Sequence, residues 1–195
     1  AHVRDVFVDE VVNRFVVGNS TDQFVVGDEG GGWQGFYNRE VDVLFQSFEK
    51  IVAHLPVALT PRARNVLAVG LGSGITLGAL GLYDEVERLT CVEIVPSVVE
   101  GARLFAAANH DVLADPRLRL IVGDGVQYLL TTRERFDVIS SDSKLNPEFV
   151  GNSAILAREY YELCRDRLTE RGVMIQWTAT HLPNTETRIV ARTFI

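Results

Sequence analysis

The stretch NVLAVGLGSGITLGAL, residues 65–80, decides the fold, because it places a glycine-rich turn directly behind a run of apolar residues. Such a run, without alternation of polar residues, is typical of a parallel strand buried on both faces. The glycines permit a tight turn and let a ligand approach the backbone closely. The dinucleotide fingerprint G-x-G-x-x-G is incomplete, since Ile75 stands where its third glycine would be. The loop residues predicted to contact a small molecule are Gly70, Gly72, Ser73 and Gly74.

Four more short, Val/Ile-rich runs follow, and helical patterns separate them. The runs are RLTCVEI, LRLIV, FDVISS and GVMIQW. Strands that alternate with helices predict an α/β fold with a doubly wound parallel sheet of the Rossmann-like type. The clearest helical pattern covers residues 96–110, where Ser97 and Glu100 suggest a capping box. Other helices are expected from Arg39 to Pro56 and over residues 152–168.

The amino-terminal residues have a different pattern. Apolar and polar residues alternate over residues 1–30, which predicts a short β-meander, and GDEGGGWQG, residues 27–35, is expected to be a loop. We therefore divide the chain into a meander with its loop, residues 1–36, and a nucleoside-binding domain, residues 37–195. The chain starts without Met and stops within a helical pattern, so we expect a fragment of something longer.

Composition excludes several classes of function. The formal net charge of -7 argues against a nucleic-acid surface, and no apolar run is long enough for membrane insertion. Cys91 and Cys164 lie in apolar segments and are interpreted as buried thiols of a reducing compartment rather than as a disulfide. We expect a cytoplasmic protein, or the cytoplasmic domain of a larger membrane protein. The negative balance is compatible with a cationic substrate, and a homodimer with a second copy of the chain is expected.

Acidic residues stand where the second and third strands end. Glu93 follows apolar residues, and such a carboxylate can accept both ribose hydroxyls of a nucleotide-like ligand. Asp124 precedes Gly125 at the start of a helical pattern. Each acid has a plainer interpretation, Glu93 as a solvated carboxylate and Asp124 as a helix N-cap. Together with the glycine loop they fit a nucleoside that has no pyrophosphate, and S-adenosylmethionine and its relatives fit best. Ile94 and Gly125 are assigned to the same site.

From residue 50 to residue 194 the chain resembles the spermidine synthase-like aminopropyltransferases, within the wider class of S-adenosylmethionine-dependent transferases. The resemblance rests on VLAVGLGSGITLGAL, VEIVPSVVEGAR, DPRLRLIVGDGVQYLL, RFDVISSDS and EYYELCRDRLTERGVMIQW. The sequence of these motifs is most similar to that of spermidine-synthase-like domains fused to bacterial membrane segments. The resemblance implies that Glu93 holds the ribose, Asp124 holds the adenine amino group, and Asp142 deprotonates the attacking amine. Ser143 and Gln176 are the substrate-side candidates, and no metal is implied.

The substrate half of the site departs from the family's pattern. Ser73 replaces the loop Asp that contacts the aminopropyl amine, Leu145 replaces the second Asp of DSSDP, and FEK, residues 48–50, replaces YHE. Three hypotheses therefore stay open. The chain transfers an aminopropyl group from decarboxylated S-adenosylmethionine to an amine such as putrescine; or it is an S-adenosylmethionine-dependent methyltransferase; or it is a non-catalytic nucleoside-binding domain of a larger membrane protein.

Overall fold

The structure is a computed structural model that describes residues 23–26, 33–36, 39–60, 62–141, 154–176 and 192–193, with side chains from Glu49 onward. The elements in chain order are β1 (Gln23–Val26), β2 (Trp33–Phe36), α1 (Arg39–Leu59), β3 (Asn65–Val69), α2 (Ile75–Gly81), β4 (Arg88–Glu93), α3 (Pro96–Arg103), a 3₁₀ turn (Val112–Ala114), β5 (Leu118–Val122), α4 (Gly125–Thr131), β6 (Phe136–Ser141), α5 (Arg158–Arg167) and β7 (Leu168–Gln176).

Five strands form one parallel sheet in the order β5-β4-β3-β6-β7. The chain moves outward from β3 to β4 and β5, and then returns to the other side of β3 with β6 and β7. The strand order therefore reverses at β3, which makes the loop after β3 the topological switch point. Ligands of open α/β sheets bind at such a point, beyond the carboxyl ends of the strands. The predicted doubly wound parallel sheet is confirmed.

The central strand shows why the sequence lacks alternation. Val66 and Ala68 pack in one apolar cluster with α2 residues such as Leu80. Leu67 and Val69 pack in a second cluster on the opposite face, with α4 and α5 residues including Leu129 and Tyr160. Successive side chains of a strand point to opposite faces, so a strand covered on both faces must be apolar throughout. All five residues of β3 are accordingly buried.

Some predicted element boundaries were wrong. Helix α1 does not stop at Pro56 but continues to Leu59. The Thr60 side chain donates to the Pro56 carbonyl, at 2.7 Å, and the Thr60 amide donates to the Val57 carbonyl, which closes the additional turn. The last predicted helix starts at Arg158 rather than at residue 152 and ends before Leu168, where β7 already begins.

The predicted capping box is also wrong. Helix α3 begins at Pro96 after Val95, and no side chain caps it. Proline fits the first turn of a helix because its missing N–H would have had no partner there. Ser97 is thus already inside the helix, and its hydroxyl is buried. The helix ends at Arg103, and His110 and Asp111, with φ of 57° and 51°, turn the chain toward β5.

The described part of the amino-terminal region is an antiparallel pair of strands. Strand β1 pairs with β2, with Gln23 opposite Phe36 and Val26 opposite Trp33. Residues 33–35 were predicted to be loop, but they belong to β2. The alternating pattern ends at residue 30, and the second strand, which carries Gly35, lies beyond it. Residues 1–22 of the predicted meander lie outside the described residues.

Arg117 ties α2 to the start of β5. Its guanidinium donates to the carbonyl oxygens of Tyr83, Val86 and Gly81, and it forms an ion pair with Asp115 at 2.7 Å. Cations at the end of a helix are favourable because unpaired carbonyls point there. The hydrogen bonds from Arg117 hold the pKa of the Asp115 carboxyl below its ordinary value.

We expect Asp115→Asn to lower the free energy of unfolding at pH 7 by about 1–2 kcal/mol, the scale of a partly buried charged hydrogen bond. A carboxyl with a depressed folded-state pKa contributes stability above its unfolded value, and this is lost as the pH falls through the folded value. The difference between the two proteins should therefore shrink below about pH 4. Urea denaturation at pH 7 and pH 3 measures the difference in free energy of unfolding between the unmutated protein and the variant. An equal difference at both values would show that the charge of Asp115 contributes nothing.

Candidate functional site at the carboxyl edge of the sheet

The glycine loop needs its glycines for backbone reasons. Gly70, Gly72 and Gly74 all have positive φ, at 95°, 55° and 80°, a region that residues with a Cβ rarely adopt. Gly74 is the residue that precedes α2. A Cβ built on Gly72 would meet no atom within 4 Å. The loop therefore combines a fixed left-handed path with an open side at Gly72, where a ligand can reach the backbone.

Glu93 is part of the loop's support. Its carboxylate accepts the amide of Leu71 on Oε2 and the amide of Val95 on Oε1, both at 2.8 Å. The residue is only 6% exposed, so the interpretation as a solvated surface carboxylate is wrong. A carboxylate offers about four acceptor positions, and these two bonds occupy one on each oxygen. Glu93 thus fixes the end of β4 to the glycine loop with acceptor positions left for a hydroxyl-bearing ligand.

Asp124 caps α4, as the plainer interpretation expected. Its Oδ1 accepts the amides of Val126 and Gln127, at 2.7 and 3.1 Å, while Oδ2 takes no part in the cap. The residue is exposed, so Oδ2 can still meet a ligand. A Cβ on Gly125 would lie 2.6 Å from Val69 Cγ1, which explains the glycine there. Helix α4 therefore begins in direct contact with the end of β3, beside the loop.

The carboxyl ends of three neighbouring strands are joined by backbone bonds. Gly70 donates to the Val92 carbonyl and Gly123 donates to the Glu93 carbonyl, both at 2.9 Å. This brings together all the predicted nucleoside-side residues: Gly70, Gly72, Ser73, Gly74, Glu93, Ile94, Asp124 and Gly125. Ile94 and Val122 expose 63% and 53% of their area along this edge. These exposed apolar side chains are available to pack against a ligand bound at the edge.

Asn109 is a residue that sequence reasoning missed. It is 1% exposed, and its Nδ2 donates to the carbonyls of Ser73 and Ala102, at 2.9 and 2.8 Å. Its backbone oxygen lies 2.1 Å from where a Cβ on Gly78 would be. Asn109 therefore joins the glycine loop to the end of α3. Because Gly78 has no side chain, the backbone of α2 can contact the backbone of Asn109. A polar side chain after AAA, near the end of the helical pattern predicted over residues 96–110, was the available signal.

A second carboxylate reaches the loop from the other side. The Ser73 hydroxyl lies 3.3 Å from Oε1 and 3.2 Å from Oε2 of Glu49 and donates to that carboxylate. Glu49 belongs to α1 and is 8% exposed. Sequence reasoning noted only that residues 48–50 depart from the family's pattern. The contact depends on how α1 packs against the loop, which the linear sequence does not reveal.

The part of the site that precedes Asp142 is described up to Ser141, the last residue of β6. Ser141 accepts a hydrogen bond from the Tyr160 hydroxyl on Oγ, at 2.9 Å, and one from Gln176 Nε2 on its carbonyl, at 3.2 Å. Gln176, a predicted substrate-side residue, thus lies beside the strand end that leads to Asp142. Tyr160 of α5 is a second support of this strand end. Asp142, Ser143 and Leu145 lie outside the described residues.

Cysteine chemistry does not contribute to this site. Both thiols are free and buried, as predicted, and Cys91 lies beneath the loop with its sulfur 3.8 Å from the Gly70 carbonyl. Burial raises the pKa of Cys91 above its ordinary value and that of Cys164 to about 12. Both therefore stay protonated at neutral pH, whereas a nucleophilic cysteine needs its thiolate. In the described part of the chain, no cluster of three or more His, Cys, Asp or Glu could hold a metal ion.

Comparison with known families assigns the chain. A family model described as the spermine/spermidine synthase domain matches residues 46–192. The chain belongs to the spermine/spermidine synthase family. It is 38% identical over 136 residues to polyamine aminopropyltransferase 1 of Pseudomonas aeruginosa, which covers 68% of this chain and 46% of the relative. It is 37% identical over 142 residues to the polyamine aminopropyltransferase of Thermococcus kodakarensis, with 69% and 48% covered. This family member spans about half the length of these relatives.

Solved structures agree with the family. A spermidine synthase in complex with the transition-state analogue AdoDATO superposes with a TM-score of 0.72 at 26% identity, covering 91% of this chain and 62% of that one. The Thermotoga maritima spermidine synthase gives 0.69 at 25% identity, with 91% and 60% covered. The O-methyltransferase TomG of Streptomyces achromogenes, at 0.54 and 19% identity, with 75% and 66% covered, shares the fold alone. Among the described residues of this synthase-family chain, no helix is long and apolar enough to cross a membrane.

Proposed function

We propose that the protein transfers an aminopropyl group from decarboxylated S-adenosylmethionine to an amine such as putrescine. The observation that carries the proposal is the buried Glu93 carboxylate, bonded to the Leu71 amide of the glycine loop at the switch point of the sheet. An acid in this place suits the two hydroxyls of a ribose. The polyamine aminopropyltransferases and the AdoDATO-bound spermidine synthase that the chain resembles support the same reaction.

We assign the partners of the nucleoside half of the ligand to the ends of β4 and β5 and to the glycine loop. In our proposal Glu93 accepts the ribose hydroxyls, and Asp124 accepts the adenine amino group on Oδ2, the oxygen that the helix cap leaves unused. The exposed face of Ile94 packs against the adenine ring. The open side of the loop at Gly72 admits the ligand to the backbone.

The chemical step is a displacement at carbon. The acceptor amine uses its lone pair to form a bond to the aminopropyl carbon that is attached to the sulfonium, and the bond from that carbon to sulfur breaks. The electron pair stays on sulfur, so methylthioadenosine leaves as a neutral thioether and needs no acid. The amine must first lose a proton, which we assign to the Asp142 carboxylate. Gln176 and Ser143 then orient the acceptor, and positioning supplies much of the acceleration.

Four features of the whole protein stay proposals: its division into units, its location, its oligomeric state and its fusion to other segments. We assign residues 37–195 to the transferase unit and residues 1–36 to a separate amino-terminal region. A cytoplasmic location, a homodimer and a fusion to membrane segments stay predictions from the sequence.

The decisive test offers the protein each sulfonium donor together with several amines and identifies the nucleoside released. We expect methylthioadenosine from the decarboxylated donor. Release of S-adenosylhomocysteine instead would establish methyl transfer. Binding of both donors without release of either product, for every amine, would overturn the proposal in favour of a binding domain.

A further inference from the structure

We propose that Tyr160 is a positioning residue for the chemical step, because its hydroxyl fixes the end of β6 through Ser141, the residue directly before Asp142. The inference rests on the proposed function, in which Asp142 removes the proton of the acceptor amine. It assigns to the first turn of α5 a role in the rate of transfer and none in the binding of the donor.

Tyr160 and Ser141 form a hydrogen bond in the interior of the protein. The Tyr160 hydroxyl donates to Ser141 Oγ at 2.9 Å, and the two residues are 1% and 0% exposed. The Cys164 thiol also interacts with the hydroxyl, but sulfur is a weak acceptor, so Ser141 Oγ is the main partner. Burial raises the pKa of Tyr160 well above its ordinary value, so the phenol stays a hydrogen-bond donor at neutral and moderately alkaline pH.

The position of Ser141 in the sheet connects this hydrogen bond to the site. In the register of the sheet, Ser141 lies opposite Val69 of β3 on one side and Gln176 of β7 on the other. Val69 is the last residue before the glycine loop, so β6 ends beside the loop that we assign to the donor. Because Asp142 is the next residue along the chain, a displacement of Ser141 moves the point from which the proposed base begins.

The hydroxyl pair contributes direction more than stability. Replacing both partners of a buried hydrogen bond by apolar groups of the same shape is nearly neutral for stability, whereas removing one partner leaves a buried polar group unpaired. Phenylalanine beside alanine would fill the same space in the apolar cluster around Tyr160. A hydrogen bond adds a preferred angle and distance, and a reacting group misplaced by about 1 Å can cost roughly a hundredfold in rate. We therefore assign the pair to the alignment of the strand end.

A double-mutant cycle with Tyr160→Phe, Ser141→Ala and the double variant separates alignment from stability. We expect each single variant to release methylthioadenosine from the decarboxylated donor roughly tenfold more slowly under single-turnover conditions. The double variant should be slowed by about the same factor, because one hydrogen bond is lost in all three proteins. Urea denaturation should show Ser141→Ala as the least stable variant, since it leaves the Tyr160 hydroxyl without its oxygen acceptor, and the double variant as more stable.

Further measurements distinguish positioning from a loss of folded protein. Calorimetry should give an unchanged affinity for methylthioadenosine in all three variants. The rate should fall by the same factor from about pH 7 to about pH 10, because Tyr160 does not titrate in this range. Tyr128→Phe is the matched control. It removes a buried tyrosine hydroxyl of α4 for which the described residues offer no hydrogen-bond partner, and the rate should stay unchanged.

Each contrary outcome overturns the inference. An unchanged rate in Tyr160→Phe would remove its hydroxyl from the chemical step. A rate that recovers together with stability in the double variant would show that the pair only stabilises the fold, and weaker binding of methylthioadenosine would place Tyr160 on the donor side. These results leave the aminopropyl transfer proposal intact. If the unmutated protein releases no methylthioadenosine with any amine, the proposed function fails and the inference fails with it.

Discussion

Asp142→Asn is expected to lower the rate of product formation by a hundredfold or more while leaving the affinity for the donor unchanged. The acceptor amine is protonated at neutral pH and cannot attack carbon until a base removes its proton, and a positioned base contributes about 10²–10⁴-fold. Asparagine fills the same space but cannot take the proton. Asp142 directly follows Ser141. The hydroxyl and the carbonyl of Ser141 accept hydrogen bonds from Tyr160 and Gln176, so the strand end that leads to Asp142 is held in place.

Methylthioadenosine release under single-turnover conditions measures the effect, and calorimetry with the decarboxylated donor measures the affinity. Asp166→Asn is the matched control, because that carboxylate is 65% exposed on α5. A variant that turns over at the unmutated rate would remove Asp142 from the mechanism. A rate restored at high pH, where free amine is abundant, would support its role as the base.

Glu93→Ala is expected to weaken every adenosine ligand by about 1.5–3 kcal/mol, or roughly tenfold to 150-fold. The carboxylate is buried and aimed at the loop, so its loss removes both the acceptors for the ribose and the bond to the Leu71 amide. Glu100→Ala, at a carboxylate 74% exposed on α3, should leave the affinity unchanged. An unaltered dissociation constant in folded Glu93→Ala would mean that the residue takes no part in binding.

Deoxyadenosine ligands separate the two contributions of Glu93. If the carboxylate binds the ribose hydroxyls, ligands lacking the 2′- or 3′-hydroxyl should bind the unmutated protein more weakly, and the difference should disappear in Glu93→Ala. If the carboxylate only supports the loop, the two proteins should discriminate equally between these ligands. Such a cycle isolates the pairwise contribution provided that each change adds no new contact.

The parts that could be predicted from the sequence are those that local pattern determines. Continuous apolar runs marked β3, β4 and β6 to within a residue, because strands covered on both faces need apolar side chains throughout. Positive φ at Gly70, Gly72 and Gly74 was implicit in the spacing of the glycines. Sites of parallel sheets form where strands end, so the acids at 93 and 124 could be placed on one edge.

The parts that could not be predicted depend on contacts between distant segments. Asn109 is hydrogen-bonded to Ser73, which lies 36 residues away in the sequence. Glu49 is hydrogen-bonded to the same serine and lies 24 residues from it. Neither contact leaves a periodic signal, since each is fixed by how a helix or turn packs against the loop. Ser97 and Glu100 fit the capping-box pattern, but Pro96 had already started the helix. Local patterns therefore predicted the strand ends and the glycine loop better than the residues that support them.

The hydrogen bonds that hold the glycine loop have a thermodynamic consequence. Glu93 holds the Leu71 amide, and Asn109 holds the Ser73 carbonyl, before any ligand is bound. Ordering a backbone residue costs roughly 1–2 kcal/mol of conformational entropy, so a mobile five-residue loop would take several kcal/mol out of the binding free energy. Here that entropy is already lost when the protein folds. The preorganised loop makes donor affinity depend on the stability of the protein around it, so a distant substitution that frees Asn109 would weaken binding without touching the ligand.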